Sequence, residues 1–162
     1  NVVATDFSRE MLVSASLKTR RRSLSEQIQY VLADAHALPL PDDRFVCATV
    51  GFGIRNFIDV PQALREMLRV VSPGGRVVIL EIVSTDGLGM FDRLFTLYFR
   101  YVTPWIGTIF AGDREAYTYL PESVQGFMKA GEIACLMEMT GFHNVTVRKL
   151  AFGTVAIIGG EK

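Results

Sequence analysis

The chain has 162 residues, of which 49% are hydrophobic, so its composition is that of a globular domain and excludes a disordered chain. Lysine plus arginine and aspartate plus glutamate both number 17, and this balance argues against a protein that binds nucleic acid through its phosphates. The two cysteines, Cys47 and Cys135, each lie in an apolar run. Isolated thiols of this kind predict buried side chains in a reduced, cytoplasmic protein rather than a disulfide framework.

The first part of the sequence alternates short β-prone runs with polar or helical segments. Residues 2–5 predict a strand that ends at Asp6, and Ser8 is well placed to cap the helix that follows. Residues 28–33 predict a second strand, which is followed by Asp34. An acidic side chain is therefore expected at the end of each of these two strands.

The clearest pattern follows a third predicted strand at residues 45–50. Asp59 is expected to cap a helix that has Pro61 in its first turn. The apolar face of this helix has helical spacing and consists of Leu64, Met67, Leu68 and Val71. Residues 72–75, Ser-Pro-Gly-Gly, predict the end of the helix and a tight turn into a buried strand at residues 77–82.

The end of the sequence predicts one more helix and two strands. Residues 132–140 carry apolar side chains at helical spacing and are followed by Gly141. Residues 144–150 and 152–158 are joined closely enough to form an antiparallel hairpin. Alternating strands and helices with a terminal hairpin indicate an α/β fold with a doubly wound, mostly parallel sheet.

Polar groups follow three successive predicted strands, and in such a sheet ligands bind beyond the carboxyl ends of the strands. The Asp6 carboxylate is suited to accept hydrogen bonds from two ribose hydroxyls, and Asp34 from an adenine amino group. Each aspartate alone is more commonly a helix cap or a turn residue. Together with the loop at residues 51–56, they favour a nucleoside ligand.

The loop Gly51-Phe52-Gly53-Ile54-Arg55-Asn56 only partly matches a dinucleotide-binding fingerprint. Its sixth position is asparagine, and Asp59 and Pro61 delay the helix that should follow. We interpret it as an active-site loop in which Arg55 and Asn56 supply hydrogen-bond donors. The alternative is a surface loop that happens to contain an arginine.

Residues 88–128 are expected to form an aromatic lid inserted into a single domain of residues 1–162. The aromatic side chains between positions 91 and 110 are Phe91, Phe95, Tyr98, Phe99, Tyr101, Trp105 and Phe110. About half of them are expected in the core, and the others either line an apolar substrate pocket or rest on a membrane. His36 and His143 are too isolated in the sequence to indicate a metal site.

Several motifs occur in the same order as in a known family. They are DFSREML, DAHALPLPDDRF, GFGIRNFIDVPQALREMLRVVSPGGRVVILE and AGDREAYTYLPESV, with GFHNV and FGTVAI near the end. In these motifs the chain resembles the ubiquinone/menaquinone biosynthesis C-methyltransferases (the UbiE type). The resemblance implies a class I, Rossmann-like methyltransferase fold, S-adenosylmethionine as cofactor and a demethylated polyprenyl quinol as substrate. It also implies a cytoplasmic protein with peripheral contact at the inner face of the membrane.

The resemblance implies four cofactor-binding residues. Asp6 matches the acidic residue that binds the cofactor ribose, while Asp34 and Ala35 match the pair that contacts the adenine. Gly51 occupies a cofactor-contacting position at which the family usually has serine.

The resemblance also implies catalytic and substrate-binding residues. Arg55 and Asn56 match an Arg-Asn pair beside the substrate ring and are the expected catalytic residues. The expected substrate-binding residues are Phe52, Tyr117, Tyr119 and Ser123.

In the family, a strand, a glycine-rich loop and a helix precede the segment that matches residues 2–6. That strand is the middle of the family's sheet, between the strands that match residues 2–5 and 45–50. We therefore expect a sheet that lacks its first strand and helix and is open to rearrangement or strand swapping, in a homodimer that binds S-adenosylmethionine poorly. Two other functions stay open: a noncatalytic lipid-quinone-binding or assembly subunit, and methyl transfer to another lipid-like acceptor.

Overall fold

The computed structural model describes residues 1–22, 24, 26–84 and 127–162. Within these ranges the predicted strands and helices are all present, and they alternate as the α/β pattern requires. The elements are β1 (Val2–Asp6), α1 (Arg9–Arg20), β2 (Ile28–Leu32), β3 (Phe45–Gly51), a 3-10 turn (Ile54–Asn56), α2 (Val60–Val70), β4 (Val71–Ile82), α3 (Ala130–Thr140), β5 (His143–Leu150), a second 3-10 turn (Ala151–Gly153) and β6 (Val155–Glu161).

The helix ends form as the sequence predicts. The Ser8 side chain accepts a hydrogen bond from the Met11 backbone N–H at the start of α1, and Asp59 accepts one from Gln62 at the start of α2. These bonds satisfy backbone donors that have no partner within the helix. Gly141 ends α3 with a φ of 111°, a left-handed conformation that glycine adopts without strain.

The strands form two hydrogen-bonded groups. β1 and β2 pair in parallel, and the other group has the order β3-β4-β6-β5. β3 and β4 are parallel, whereas β6 runs antiparallel to both β4 and β5. β1 and β3 do not pair in the part of the chain described, so the strands are divided where the resemblance puts a further strand.

The core lies on one face of the four-stranded sheet. The apolar faces of α2 and α3 pack there with alternate residues of β4 and β6, including Leu64, Ile133, Ile79 and Ile158. All four side chains are fully buried. By contrast, no described residue before Ile54 is fully buried, so β1, α1 and β2 contribute little to this core.

The expected end of α2 differs from the structure. Val71 was predicted on the apolar stripe of α2 but is the first residue of β4, where it pairs with Phe45. Ser-Pro-Gly-Gly at 72–75 does not end α2, which already ends at Val70. It lies within β4 and interrupts the register between β3 and β4. An added Cβ at Gly75 would lie 2.8–2.9 Å from two backbone oxygens, so only glycine fits this close approach.

The prediction of buried cysteines was wrong, since Cys47 and Cys135 are both exposed. Cys47 follows the exposed Val46 on β3, so neither side of the strand is covered at this point by the described residues. Cys135 lies on the outer face of α3, opposite the buried Ile133 and Met137. An apolar run of sequence therefore did not indicate which of its side chains face the core.

Candidate functional site

The parallel pairing of β3 and β4 brings residues 52–56 beside the end of β4. Gly51 is paired with Leu80, and the Phe52 N–H continues the ladder with a 2.8 Å bond to the Leu80 carbonyl oxygen. The chain then leaves the sheet in the 3-10 turn Ile54–Asn56, so Arg55 lies next to Glu81. This edge is where parallel sheets of this kind bind ligands.

Arg55 and Glu81 form an ion pair within the protein. Arg55 Nη1 donates to Glu81 Oε1 at 2.5 Å, and the Arg55 backbone N–H donates to Oε2 at 3.3 Å. The Glu81 side chain is 0% exposed and the Arg55 side chain 10%. A carboxylate taken out of water needs such a partner, because an unpaired buried charge is strongly destabilising.

Phe52 and Gly51 shape the loop just before this ion pair. Phe52 has a φ of 55°, a left-handed conformation that costs a non-glycine residue roughly 1–3 kcal/mol. Phe52 is 46% exposed as a residue, so it offers apolar surface at the carboxyl edge of the sheet. At Gly51 an added Cβ would meet no atom within 4 Å, so there is open space beside the backbone there.

Asp6 and Asp34 lie at the carboxyl ends of two adjacent parallel strands. Asp6 is paired with Leu32, and the Ala33 N–H donates to the Asp6 carbonyl oxygen at 3.1 Å. Asp6 Oδ1 accepts from the Ser8 N–H, and Asp34 Oδ1 accepts from the His36 N–H. Both carboxylates thus make the contacts that are typical of an ordinary cap or turn aspartate. Each uses only its Oδ1 oxygen for these contacts.

His36 connects the Asp34 loop to the start of α2. Its Nδ1 lies 2.5 Å from Asp34 Oδ1, and its Nε2 accepts from the Asp59 N–H at 3.1 Å. The ring also meets Phe57 edge to face, with 5.9 Å between centroids. These hydrogen bonds lower the pKa of the Asp34 carboxyl, the backbone N–H of His36 contributing most and its side chain next. Asp34 is consequently ionised at neutral pH.

The predicted site residues fall into two groups. Gly51, Phe52, Arg55 and Asn56 share one loop, in which the exposed Asn56 donates its backbone N–H to Gly53 at 3.0 Å. The other group lies at the ends of β1 and β2 and contains Asp6, Asp34 and Ala35, the last half-buried at the corner of a turn. His36 joins the second group to Asp59 and Phe57, which directly follow the loop of the first group.

Tyr117, Tyr119 and Ser123 lie outside the described residues, as does nearly all of the expected lid at 88–128. The described residues on either side of that segment meet each other, because the Ser84 N–H donates to the Met128 carbonyl oxygen at 3.3 Å. Ser84 is three residues beyond Glu81 in the sequence. The chain therefore leaves and rejoins the described fold near the carboxyl end of β4.

Sequence reasoning missed two residues of this region. Glu81 was included in a strand taken to be apolar, although it is a charged residue at a position in phase with the buried Val77 and Ile79. That phase was the available signal, because a strand exposes or buries every second side chain. His36 was considered only as a metal ligand, and its contacts depend on the folded positions of Asp34 and Asp59.

Solved structures share the Rossmann-like fold of this chain. A crystal structure of a SAM-dependent methyltransferase from Aquifex aeolicus matches with a TM-score of 0.64 and 18% identity, covering 99% of this chain and 66% of that one. At this identity the match establishes the fold alone. The predicted fold class is confirmed.

The chain belongs to the ubiE/COQ5 methyltransferase family, whose family model matches residues 1–162. It is 43% identical over 161 residues to the demethylmenaquinone methyltransferase of Deinococcus radiodurans, covering 99% of this chain and 65% of that protein. It is 42% identical over 161 residues to the ubiquinone/menaquinone biosynthesis C-methyltransferase UbiE of Geobacter sulfurreducens, with 99% and 62% covered. The chain thus spans a little under two thirds of the length of these relatives. Within the described ranges, no helix is long and apolar enough to cross a bilayer.

Proposed function

We propose that this chain carries the catalytic and nucleoside-binding side of an S-adenosylmethionine-dependent C-methyltransferase that acts on a demethylated polyprenyl quinol. The observation that carries the proposal is a largely buried arginine, Arg55, at the ligand-binding edge of a chain of this family. The names of the matching relatives support the substrate class, since they methylate menaquinone or ubiquinone precursors by name. They do not distinguish between the two quinones.

The described residues fit the nucleoside part of the cofactor. Asp6 and Asp34 each have a second carboxylate oxygen outside the turn contacts, and such an oxygen can accept from ribose hydroxyls or an adenine amino group. The open space at Gly51 leaves room beside the backbone. When bound, S-adenosylmethionine supplies a methyl group on a positively charged sulfur, which is a strong electrophile.

Arg55 and Asn56 act on the substrate ring. Loss of the proton from a ring hydroxyl raises the electron density at the ring carbon to be methylated. The Arg55 guanidinium stabilises the negative charge that develops on that oxygen, and a fixed donor of this kind typically contributes about 10²–10³ in rate. Asn56 helps to hold the water that carries this proton away, and after methylation the ring carbon loses its own hydrogen as a proton while the oxygen regains one, which restores the aromatic quinol. Phe52 supports one face of the substrate with apolar surface.

We also propose that residues 88–128, which lie almost entirely outside the described residues, serve as a lid for the polyprenyl tail, with Tyr117, Tyr119 and Ser123 contacting the substrate. The support for this assignment is the hydrogen bond from the Ser84 N–H to the Met128 carbonyl oxygen, which brings both ends of the intervening segment close to the carboxyl end of β4. A substrate with a long apolar tail resides in a membrane, so the protein works at the inner face of that membrane as a peripheral protein. It does so as a homodimer.

Two variants of Arg55 test the catalytic assignment in the protein expressed from its complete reading frame. Arg55→Lys keeps a positive charge beside Glu81 but removes the planar set of donors. Arg55→Ala removes the charge as well. We expect both variants to bind S-adenosylhomocysteine within about twofold of the wild type, because Asp6 and Asp34 are unchanged. Methyl transfer to a short-chain demethylmenaquinol should fall about 100-fold or more in both.

Arg65→Ala is the matched control, since Arg65 is an exposed arginine on α2 whose side chain contacts Gln62. It should retain wild-type turnover. An Arg55→Lys protein with unchanged turnover would eliminate Arg55 as a catalytic residue. A wild-type protein that binds the quinol but transfers no methyl group would favour the noncatalytic quinone-binding subunit, and turnover only with a different lipid would favour the other acceptor.

A further inference from the structure

Glu81 is a carboxylate at a core position. Along β4 the side chains of Val77, Ile79 and Glu81 are all 0% exposed, and Val83 beyond them is 2% exposed. Because successive side chains of a strand alternate between its faces, Glu81 points to the same buried side as the two apolar residues before it. Removing a carboxylate from water costs several kcal/mol, so a residue kept at this position has to be compensated by specific partners.

The partners of Glu81 account for both of its oxygens. Oε1 accepts from Arg55 Nη1 at 2.5 Å and from the Ile82 backbone N–H at 2.9 Å. Oε2 accepts from the Arg55 backbone N–H at 3.3 Å. One carboxylate therefore holds both the backbone and the guanidinium of the same arginine. Such a double attachment fixes the 3-10 turn as well as the direction of the side chain.

The hydrogen bonds with Glu81 leave another donor of the Arg55 guanidinium without a partner. Nε of Arg55 is buried and has no hydrogen-bond partner in the described part of the chain. A buried donor without an acceptor costs about 1–3 kcal/mol, so its retention indicates a use. Because Glu81 holds Nη1 and the backbone N–H of Arg55, it also fixes the direction of this remaining donor.

We infer that Glu81 is a positioning residue that fixes the Arg55 guanidinium so that its Nε–H is aimed at an oxygen of the bound substrate. This inference rests on the proposed function, because it assigns Arg55 to the substrate ring. Glu81 itself does not act as the base, since it is fully buried and both of its oxygens already accept hydrogen bonds. Its effect on the reaction passes through Arg55.

Glu81→Gln is the central variant, again in the protein from its complete reading frame. Glutamine keeps the shape and one acceptor oxygen, but its NH₂ group has to face a donor of Arg55. We expect kcat for methyl transfer to fall at least 30-fold while KM for S-adenosylmethionine changes less than threefold, roughly what loss of one preorganised donor produces. Glu161→Gln is the matched control, because Glu161 on β6 forms an exposed ion pair with Arg76 on β4, and it should keep wild-type kcat.

A double-variant cycle separates positioning from stability. Arg55→Ala with Glu81→Gln should be no slower than Arg55→Ala alone, because Glu81 has nothing left to position. If the two losses multiply instead, Glu81 acts independently of Arg55 and the inference is wrong. Unchanged kcat in Glu81→Gln would overturn it as well.

A second readout does not depend on turnover. In protein labelled with ¹⁵N-arginine, the Arg55 Nε–H resonance should exchange slowly with water in the wild type and at least tenfold faster in Glu81→Gln. Equal exchange in the two proteins would contradict the positioning role. If the wild type transfers no methyl group but this resonance responds as expected, the proposed function fails and the positioning of Arg55 by Glu81 stands.

Discussion

His36 holds the loop at the end of β2 with both ring nitrogens and with its backbone. Since Nε2 accepts from the Asp59 N–H, the proton of the neutral ring is on Nδ1 and is donated to Asp34. Gln62 Nε2 donates to the His36 carbonyl oxygen at 3.0 Å. One residue thus ties the candidate adenine-binding carboxylate to the helix that follows the candidate catalytic loop.

This arrangement predicts how Asp34 titrates. Its folded pKa is depressed, first by the His36 backbone N–H and then by the His36 side chain. The stabilisation from Asp34 is therefore present above the ordinary aspartate pKa of about 3.9 and is lost as pH falls through the lower, folded pKa. In His36→Phe the backbone donor remains, so the pKa of Asp34 should rise only part of the way. A ¹³C carboxyl titration by NMR measures this.

His143→Phe is the control, because His143 is the only other histidine of the chain and lies at the start of β5. It should leave the Asp34 titration unchanged. If His36→Phe leaves it unchanged too, the hydrogen bond between the imidazole and the carboxylate does not exist in solution.

The residues of the site differ in how far sequence could predict them. Arg55 and Asn56 stand in a local glycine-containing loop after a strand, so their position at the sheet edge followed from sequence order alone. Glu81 meets Arg55 across 26 residues, and only the register of β3 with β4 brings them together. The pairing of Arg55 with a buried carboxylate could therefore not be predicted from any short motif.

At the scale of elements, strand β4 and the β1–α1–β2 segment differ in how they are held. β4 is hydrogen-bonded on both sides, to β3 and β6, and supplies Val77 and Ile79 to the core. In β1, α1 and β2 no described side chain is fully buried. Few buried apolar contacts mean a low free energy of local opening.

We therefore predict separate opening of the two strand groups in the 162-residue chain. Amides of β1 and β2 should exchange with solvent at a local free energy at least about 1.4 kcal/mol below that of β4 and β6, which is tenfold in the opening equilibrium. Hydrogen exchange read by NMR measures this. Ile79→Ala should lower protection in β4 and β6 by about 2–5 kcal/mol and leave β1 and β2 unchanged. Equal protection of all four strands in the wild type would refute the prediction.

Local sequence signals were sufficient to predict the helices and strands. They were not sufficient to predict every residue at which a helix or strand begins or ends. Asp59, Pro61 and Gly141 mark helix ends by their own chemistry, and those ends are where the sequence put them. Val71 fits the apolar phase of α2 as well as that of a buried strand. Its pairing with Phe45 decides in favour of β4, and that pairing is a tertiary contact.

At the scale of the whole molecule, Arg69 joins the segment after β2 to α2. Its guanidinium donates to the carbonyl oxygens of Leu38 and Leu40 and pairs with Asp42 and Glu66. Hydrogen bonds to the two carboxylates, first that to Glu66, raise the pKa of Arg69. Glu66 in turn accepts from the Leu38 N–H, so the loop is held at several backbone groups and not only through ion pairs at its surface.

The free strand edges lead to the last prediction, which concerns the homodimer. β1 pairs only with β2, and β3 only with β4, among the strands that the structure describes. The second edge of β3 is flanked by the 82% exposed Val46, and unpaired edges with apolar side chains favour pairing with another chain. We expect the 162-residue chain to sediment as a dimer at micromolar concentration.

Val46→Lys tests whether the β3 edge carries the association, because a lysine on an edge strand opposes edge-to-edge pairing. It should raise the dimer dissociation constant at least tenfold in sedimentation velocity runs over a range of concentrations. Met139→Lys, an equally drastic change at an exposed apolar position on α3, should leave the constant within about twofold. A wild-type chain that stays monomeric at all concentrations contradicts the dimer. Equal weakening by the two lysines would mean that exposed apolar surface in general drives association. Pairing at the edge of β3 requires a larger effect at position 46 than at position 139.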